Sequence, residues 1–305
     1  METSDLLRNI INLPLTSSGL AEEMLAGNFS SIFKGQGMEF DEARHYEPGD
    51  DIRSIDWNAS ARFGYPFVKM YREERELTIL ILLDISPSMH RSHIARQGLS
   101  PYEQGLISSA LIAFSAEHTD QRFGALLFDN DIEKVFPPRK GRKHIMSFVT
   151  SALQYQNNIQ QRRSQYGSDI TSALTGAQRL LKKRSLVILI SDFYSVNWEH
   201  ELGNICRKHD VIALRICDSK ELPFPGLVTL EDPETGVRIE APAGLDSFKE
   251  SWELWHQEKS THWESTCRKC GAAFMELSTE ADAPSSLIRF FGSRSMGQYK
   301  RRKKL

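Results

Sequence analysis

The feature that most constrains the fold is an almost unbroken apolar run, Leu77–Leu83, that ends abruptly in Asp84. Seven residues of apolar or β-branched type cannot alternate between a buried and an exposed face. The run therefore predicts a strand buried on both faces, as in the middle of a parallel sheet. The loop after it carries Asp84, Ser86 and Ser88 at alternate positions. In open α/β sheets ligands bind at the carboxyl ends of the strands, so this loop is the first candidate for a functional site.

The D-x-S-x-S loop offers only small, hard oxygen ligands, which is the ligand chemistry of Mg²⁺. The alternative is that Asp, Ser and Pro are ordinary turn residues after a strand. A second pattern favours the metal, because another buried run, Leu186–Ile190, also ends in a carboxylate, Asp192. Between the two runs, Ser168 opens a predicted helix, and a simple N-cap is the competing explanation for its hydroxyl.

Strands and helices alternate along most of the chain, which predicts an α/β fold with a doubly wound, mostly parallel sheet and right-handed crossovers. Residues 1–76 are predicted to form an N-terminal region that packs on the sheet, with short helices up to residue 35 and an irregular charged segment after it. Residues 77–244 form the predicted sheet domain. Residues 245–293 form a helix-strand-helix extension, and residues 294–305 form a basic tail.

The charged segment before the first buried strand carries the most specific pattern in the chain. It reads Gly35-x-Gly-x-Glu-Phe, then Arg44-x-Tyr-x-Pro-Gly-Asp-Asp-x-Arg-x-Ile-Asp-Trp, then Ala61-Arg62, and it leads through Arg75 to the D-x-S-x-S loop. Over roughly residues 35–289 the chain resembles domain-of-unknown-function family 58, a bacterial and archaeal family of von Willebrand factor A-like proteins. Genes of that family commonly neighbour those of MoxR-type AAA+ ATPases.

The D-x-S-x-S spacing also resembles the metal-ion-dependent adhesion site of von Willebrand factor A domains. The resemblance implies weakly bound Mg²⁺ or Mn²⁺, with an Asp or Glu of a partner protein in the sixth position. The five ligands implied in this chain are Asp84, Ser86, Ser88, Ser168 and Asp192. The chain departs from the usual pattern twice, with Ser168 in place of threonine and Phe193 in place of glycine. We expect serine to ligate with a less fixed orientation, and we expect Phe193 to give the site a more closed rim.

Three function classes compete. The first is a non-enzymatic, metal-dependent adaptor that works with a MoxR-type ATPase in the assembly, maturation or remodelling of a client protein. The second is a metal-dependent hydrolase that uses the Asp84, Ser86 and Ser88 loop, and the third is a surface adhesin. The chain has no Walker A sequence and no G-x-S-x-G elbow, and an aspartyl phosphatase would have a carboxylate where Ser86 stands. We therefore predict an adaptor that is not an enzyme.

Composition excludes several other classes. The formal net charge is −2, so no nucleic-acid partner is expected, and the basic run Lys300–Lys304 is predicted to be a solvated tail. The start of the chain lacks the pattern of a signal peptide, and no apolar window reaches the roughly 18 residues of a membrane span. We expect a cytoplasmic protein, which disfavours the adhesin. Cys267 and Cys270, with His262 nearby, fall short of the four ligands of a structural zinc site and also fit a helix face.

Overall fold

The predicted buried strand lies at the centre of a six-stranded sheet. The structure is a computed structural model and describes residues 19–21, 38–73, 77–90, 99–157, 167–217, 226–231 and 237–302. In this part of the chain the strands are β1 Met38–His45, β2 Phe67–Glu73, β3 Thr78–Asp84, β4 Arg122–Phe128, β5 Ile132–Arg139, β6 Leu186–Ser191, β7 Asp210–Cys217, β8 Leu227–Glu231, β9 Arg238–Pro242 and β10 Ala273–Ser278. The α-helices are α1 Trp57–Phe63, α2 Pro101–His118, α3 Arg142–Asn157, α4 Ile170–Leu180, α5 Glu199–Cys206, α6 Asp246–Cys270 and α7 Ala283–Arg302.

The order of the strands confirms the predicted fold class. The sheet runs β10-β7-β6-β3-β4-β5, and every neighbouring pair is parallel except β4 with β5. Numbered within the sheet alone, this is the doubly wound order 3-2-1-4-5-6. The chain leaves β3 toward one edge of the sheet and later returns to form β6 on the other side of β3. The pair β3 and β6 is therefore the topological switch point, where ligands bind in such sheets.

Helices cover both faces of the sheet because successive side chains of a strand point to opposite sides. On one face, Leu80 and Leu82 of β3 pack in a core with residues of α4, α5 and α6. On the other face, Leu83 and Ile190 lie close to Gly105 of α2, where an added Cβ would approach both side chains at 3.2–3.3 Å. Glycine therefore lets α2 lie close against the two strands of the switch point.

The sequence predicts a helix from about residue 101 to residue 118, on an apolar stripe of Leu106, Ile107, Ala110, Leu111 and Phe114; α2 has these bounds but is buried more completely. Its apolar stripe predicts one buried face, yet every residue from 101 to 116 is buried. Three of the buried residues are serines, which the sequence pattern would place on an exposed face. The hydroxyls of Ser108, Ser109 and Ser115 each donate a hydrogen bond to the backbone carbonyl four residues before. Hydrogen bonds of this kind let serine occupy a buried helix.

The charged segment of residues 38–73 forms a unit of its own. The prediction of an irregular segment is wrong here, because β1 and β2 pair as an antiparallel hairpin with α1 between them. A two-stranded ribbon need not bury a full face, so its strands lack the apolar run that marks β3. The packing of this unit on the sheet stays a prediction.

Charged side chains of this unit organise its turns. Arg44 donates to Asp50 at 2.6 Å. Asp51 caps a 3-10 turn and Asp56 caps α1, each by accepting from backbone N–H groups two or three residues later. The sequence Pro-Gly-Asp-Asp predicts a tight turn at Gly49, and Gly49 has a φ of 116°. A left-handed backbone of this kind favours glycine.

Most other elements match the prediction within a few residues. The exception is the closing helix, because the sequence predicts it over residues 286–291, whereas α7 runs over Ala283–Arg302 and includes part of the predicted basic tail. Among the first 35 residues, 19–21 are described; they are helical, and Leu20 is fully buried in the sheet unit. The other predicted N-terminal helical residues lie outside the described ranges. None of the described helices is long and apolar enough to span a bilayer.

Candidate metal site at the switch point

The candidate site lies where β3 and β6 end side by side. Leu83 of β3 pairs with Ile190 of β6, so the next residues, Asp84 and Ser191, are also neighbours. Asp84 ends the first strand, and Asp192 directly follows the second. Both carboxylates are buried, with 0% of Asp84 and 4% of Asp192 exposed. The switch point therefore brings together the two aspartates that the sequence placed at strand ends.

Asp84 is the centre of a hydrogen-bond network. Its Oδ1 accepts a bond from the backbone N–H of Ser86 at 2.8 Å. Its Oδ2 accepts from the hydroxyl of Ser168 at 3.0 Å and from the hydroxyl of Ser191 at 2.7 Å. Three donors from three separate segments thus converge on one carboxylate and hold it in place.

The two serines of the D-x-S-x-S loop face each other. Ser86 Oγ and Ser88 Oγ lie 3.0 Å apart, and both residues are buried. The loop is held by a 3-10 turn over Pro87–His90, in which the backbone N–H of Met89 donates to the carbonyl of Ser86. The buried Met89 side chain then anchors the loop in the core. Two hydroxyl oxygens are consequently fixed beside Asp84.

Ser168 is not the N-cap of helix α4. The cap is Asp169, whose Oδ1 accepts a bond from the N–H of Thr171 at 2.9 Å. This leaves the Ser168 hydroxyl free to reach Asp84. The backbone of Ser168 is held in turn by Ser195, whose hydroxyl donates to the Ser168 carbonyl at 2.7 Å. Cap and candidate ligand are therefore two adjacent residues rather than one.

Phe193 explains why a glycine is usual after the second aspartate. Its φ is 58°, a left-handed conformation that side chains other than glycine adopt at a cost of about 1 kcal/mol or more. The ring is buried and packs against Trp198 and Trp263 at centroid distances of 5.4 and 5.5 Å. The expected closing of the rim by Phe193 is wrong, because the ring lies in the apolar core below the site.

Burial and like charge raise the pKa of Asp84 to about 7. The largest cause is desolvation of the buried carboxyl, and the second is the neighbouring charge of Asp192. Hydrogen bonds from Ser86 and Ser191 lower the pKa and offset part of this effect. Among the residues that the structure describes, no basic side chain contributes to the pKa shift of Asp84. The site is therefore electrostatically suited to a cation.

The donor set fits a small, hard cation. In the described ranges, no three His, Cys, Asp or Glu side chains come together as a metal site. A cation at the switch point would instead be held by two carboxylates with serine hydroxyls. Four of the predicted ligands are joined by hydrogen bonds or adjacent hydroxyls, and Asp192 acts on Asp84 through its charge. Oxygen ligands of this type are those of Mg²⁺ and Mn²⁺.

Ser191 is a site residue that sequence reasoning missed. The sequence marks it only as the residue between the apolar run and Asp192, yet its hydroxyl donates the shortest bond to Asp84 and accepts the N–H of Phe193 at 2.9 Å. The pairing of the two parallel strands could have indicated Ser191, because it places this serine beside Asp84 on the neighbouring strand, where its hydroxyl can donate to the carboxylate.

Ser191→Ala is expected to destabilise the metal-free protein by about 2 kcal/mol at pH 8, because it removes a hydrogen bond to an ionised buried carboxylate. The loss should be smaller at pH 5, where Asp84 is protonated. Urea denaturation in EDTA at both values checks this. Ser195→Ala is the control, because the Ser195 hydroxyl donates to a neutral carbonyl. An equal loss at both pH values for Ser191→Ala would contradict the assignment.

The C-x-x-C pair belongs to the core of the sheet unit. Cys267 is fully buried on α6, and burial raises the pKa of its thiol to about 12. Cys206 of α5 has its pKa raised to about 12 for the same main reason. No group of three His, Cys, Asp or Glu side chains that could hold a metal includes them in the described ranges. The zinc alternative therefore has no support in the described residues.

Comparison with known proteins places the chain in a family. Residues 42–262 match the family described as "Protein of unknown function DUF58". The chain belongs to the DUF58 family. The match covers most of the hairpin unit and the whole switch-point site, so both belong to the region that defines the family.

Relatives of this DUF58 protein occur in mycobacteria. It is 29% identical over 291 residues to "Uncharacterized protein Rv1480" of Mycobacterium tuberculosis, a match that covers 93% of this chain and 88% of the relative. It is 33% identical over 135 residues to "Uncharacterized protein MAV169" of Mycobacterium avium, covering 42% of this chain and 78% of the relative.

Two solved structures show a more distant likeness. The SpRpn10 VWA domain is 11% identical with a TM-score of 0.36, and the match covers 70% of this chain and 94% of that one. Proximal thread matrix protein 1 of the mussel byssus is 18% identical with a TM-score of 0.35, covering 47% of this chain and 38% of that one.

Proposed function

We propose that this DUF58 protein is a non-enzymatic adaptor that binds a partner protein through a divalent cation at the switch point. Asp84, Ser86, Ser88, Ser168 and Asp192 would hold Mg²⁺ or Mn²⁺. The bound ion would offer an open position to an Asp or Glu of the partner. The partner's carboxylate would then be recognised by the charge and geometry of the ion.

One observation carries the proposal. Asp84 and Asp192 are both buried, the charge of Asp192 acts on Asp84, and no basic side chain in the described ranges offsets the charge of Asp84. Placing two carboxylates in this way is costly unless a proton or a cation joins them. The three serine hydroxyls around them supply neutral oxygen ligands. A divalent ion would be left with net positive charge, which favours the approach of an anionic side chain.

The hydrolase alternative finds less support. A nucleophilic serine needs a general base within hydrogen-bond reach. The hydroxyl of Ser86 contacts the hydroxyl of Ser88, which is not a general base. Asp84 is engaged by three donors and is held as an acceptor rather than as a nucleophile. Binding fits this arrangement better than catalysis.

We propose a MoxR-type AAA+ ATPase, or a client protein of that ATPase, as the partner. The resemblance to DUF58 proteins motivates the choice, because their genes commonly neighbour genes of such ATPases. An adaptor that holds a client through a metal would give the ATPase a defined substrate to remodel. The cation would then set whether the client is held or released.

Binding of a purified MoxR-type ATPase from the same genome tests the proposal. Asp84→Ala and Asp192→Ala are each expected to weaken binding at least about tenfold while the protein stays folded, because the metal bridge is lost. Biolayer interferometry at constant Mg²⁺ and circular dichroism give the two readouts. Asp120→Ala is the matched control, since Asp120 is exposed and precedes β4 at the opposite edge of the sheet. Equal binding of all variants would overturn the metal bridge.

A further inference from the structure

A row of aromatic rings begins beside the candidate metal site. The aromatic stripe consists of Tyr194, Trp255, Trp252 and Phe248. Neighbouring centroids along it are 6.2, 5.7 and 6.2 Å apart, and neighbouring ring planes are within 17–29° of parallel. Three of the rings lie on α6 at a spacing of four and three residues, so they share one face of the helix.

The two halves of α6 differ in their environment. The second half is anchored in the core by Trp263 and Cys267, which are 3% and 0% exposed. In the first half, Trp255 is 40% exposed, and Trp252 and Phe248 are only partly buried. Large aromatic side chains that share an accessible face are characteristic of protein interaction sites.

The stripe also carries a positive charge. Lys259 is one turn after Trp255 on the same face, and its Nζ lies 5.7 Å from the centroid of the Trp255 ring. Lys259 forms no ion pair with a described residue. An ammonium group held over an aromatic ring remains available to a carboxylate. The stripe is therefore complementary to a segment that combines apolar and acidic side chains.

Tyr194 links the stripe to the metal site. Its backbone N–H donates to Asp192 Oδ1 at 3.3 Å, and its ring lies nearly parallel to that of Trp255. A partner that places a carboxylate at the switch point would therefore have Tyr194 directly beside it. From Tyr194 the stripe extends for at most about 18 Å, a length that about five or six extended residues span.

We propose that the aromatic stripe is the second half of the partner-binding surface. It would receive an extended partner segment whose Asp or Glu occupies the metal position. Apolar side chains of the next five or six residues would contact Trp255 and Trp252, and a second acidic side chain would pair with Lys259. This inference rests on the proposed metal-dependent binding and adds the sequence character of the segment that is bound.

Selection from a library of random peptides displayed on phage, against the full chain in Mg²⁺, tests the inference. The recovered peptides are expected to be rich in Asp or Glu followed within about six residues by aromatic or large aliphatic residues. The most frequent peptide is then synthesised and its affinity measured by fluorescence anisotropy. Trp255→Ala and Lys259→Glu should each weaken the affinity for this peptide roughly tenfold or more. Leu254→Ala, an exposed position on another face of the same helix, should leave the affinity unchanged.

The outcomes separate the stripe from the metal bridge. Acidic peptides without apolar enrichment, bound equally by the parent and by Trp255→Ala, would overturn the stripe and leave the metal bridge standing. Peptides that need Trp255 and bind equally in EDTA would support the stripe and overturn the bridge. Recovery of no peptide above background would overturn the proposed surface. Because Lys259 is exposed, Lys259→Glu gives a result even if Trp255→Ala unfolds the protein.

Discussion

Asp84→Asn is expected to make the metal-free protein more stable than the parent at pH 8, by about 4 kcal/mol. The pKa of Asp84 is raised to about 7 in the folded state, against an ordinary value of 3.8 in the unfolded chain. At pH 8 the parent must therefore ionise a buried carboxyl that would prefer its proton, and a difference of about 3 pH units corresponds to about 4 kcal/mol. Asparagine keeps the shape of the side chain and removes this charge.

The sign of the pH dependence follows from the same shift. Between about pH 4 and pH 7 the folded parent binds more protons at this site than the unfolded chain, so its stability falls as pH rises through that range. Below about pH 4, the free energies of unfolding of the parent and of Asp84→Asn should differ little. Urea denaturation in EDTA across this range measures the effect. Asp192→Asn should give a smaller gain in stability, because it removes the charge of Asp192 but leaves the Asp84 carboxyl buried. A pH-independent difference between the parent and Asp84→Asn would contradict the assigned pKa.

Mg²⁺ or Mn²⁺ is expected to raise the melting temperature of the parent by about 5 to 10 °C at pH 8. An ion present at a hundred times its dissociation constant, and bound only by the folded state, adds about 2.7 kcal/mol of stability. For a domain of this size each kcal/mol corresponds to roughly 2–4 °C. The shift should be smaller at pH 5, because the proton on Asp84 competes with the metal. Differential scanning fluorimetry against EDTA gives the measurement.

Variants of the serine ligands provide the controls for the metal shift. The double variant of Ser86→Ala and Ser88→Ala should show no shift, because both hydroxyl ligands are gone. Ser168→Thr should preserve it, since threonine keeps the hydroxyl that now donates to Asp84. Equal shifts in the parent and in the double-alanine variant would mean that the cation binds elsewhere.

The sheet and its site are predictable from sequence because their signals are strong and local. A strand buried on both faces must be a continuous apolar run, and Leu77–Leu83 and Leu186–Ile190 are such runs. Their ends mark the carboxyl edge of the sheet, which is where Asp84 and Asp192 are found. The neighbouring positions of the two strands follow from the doubly wound topology.

Other features depend on partners that are distant in sequence. The bond from Ser191 to Asp84 joins residues 107 positions apart and needs the strand register to be known. The left-handed backbone of Phe193 is unexpected for a phenylalanine, since tertiary packing against Trp198 and Trp263 overrides local preference. The hairpin of β1 and β2 lacks an apolar run, so periodicity could not reveal it.

The seating of Phe193 also has a consequence for the entropy of ligand binding. The residue that follows Asp192 is fixed in an unusual backbone conformation by a ring that cannot leave the core without opening a large void. The loop that carries this carboxylate therefore loses its conformational freedom when the chain folds, and not when a ligand arrives. Preorganisation of this kind lowers the free-energy cost of association. The proposed cation and partner would then bind a small site at the edge of the sheet without first having to order it.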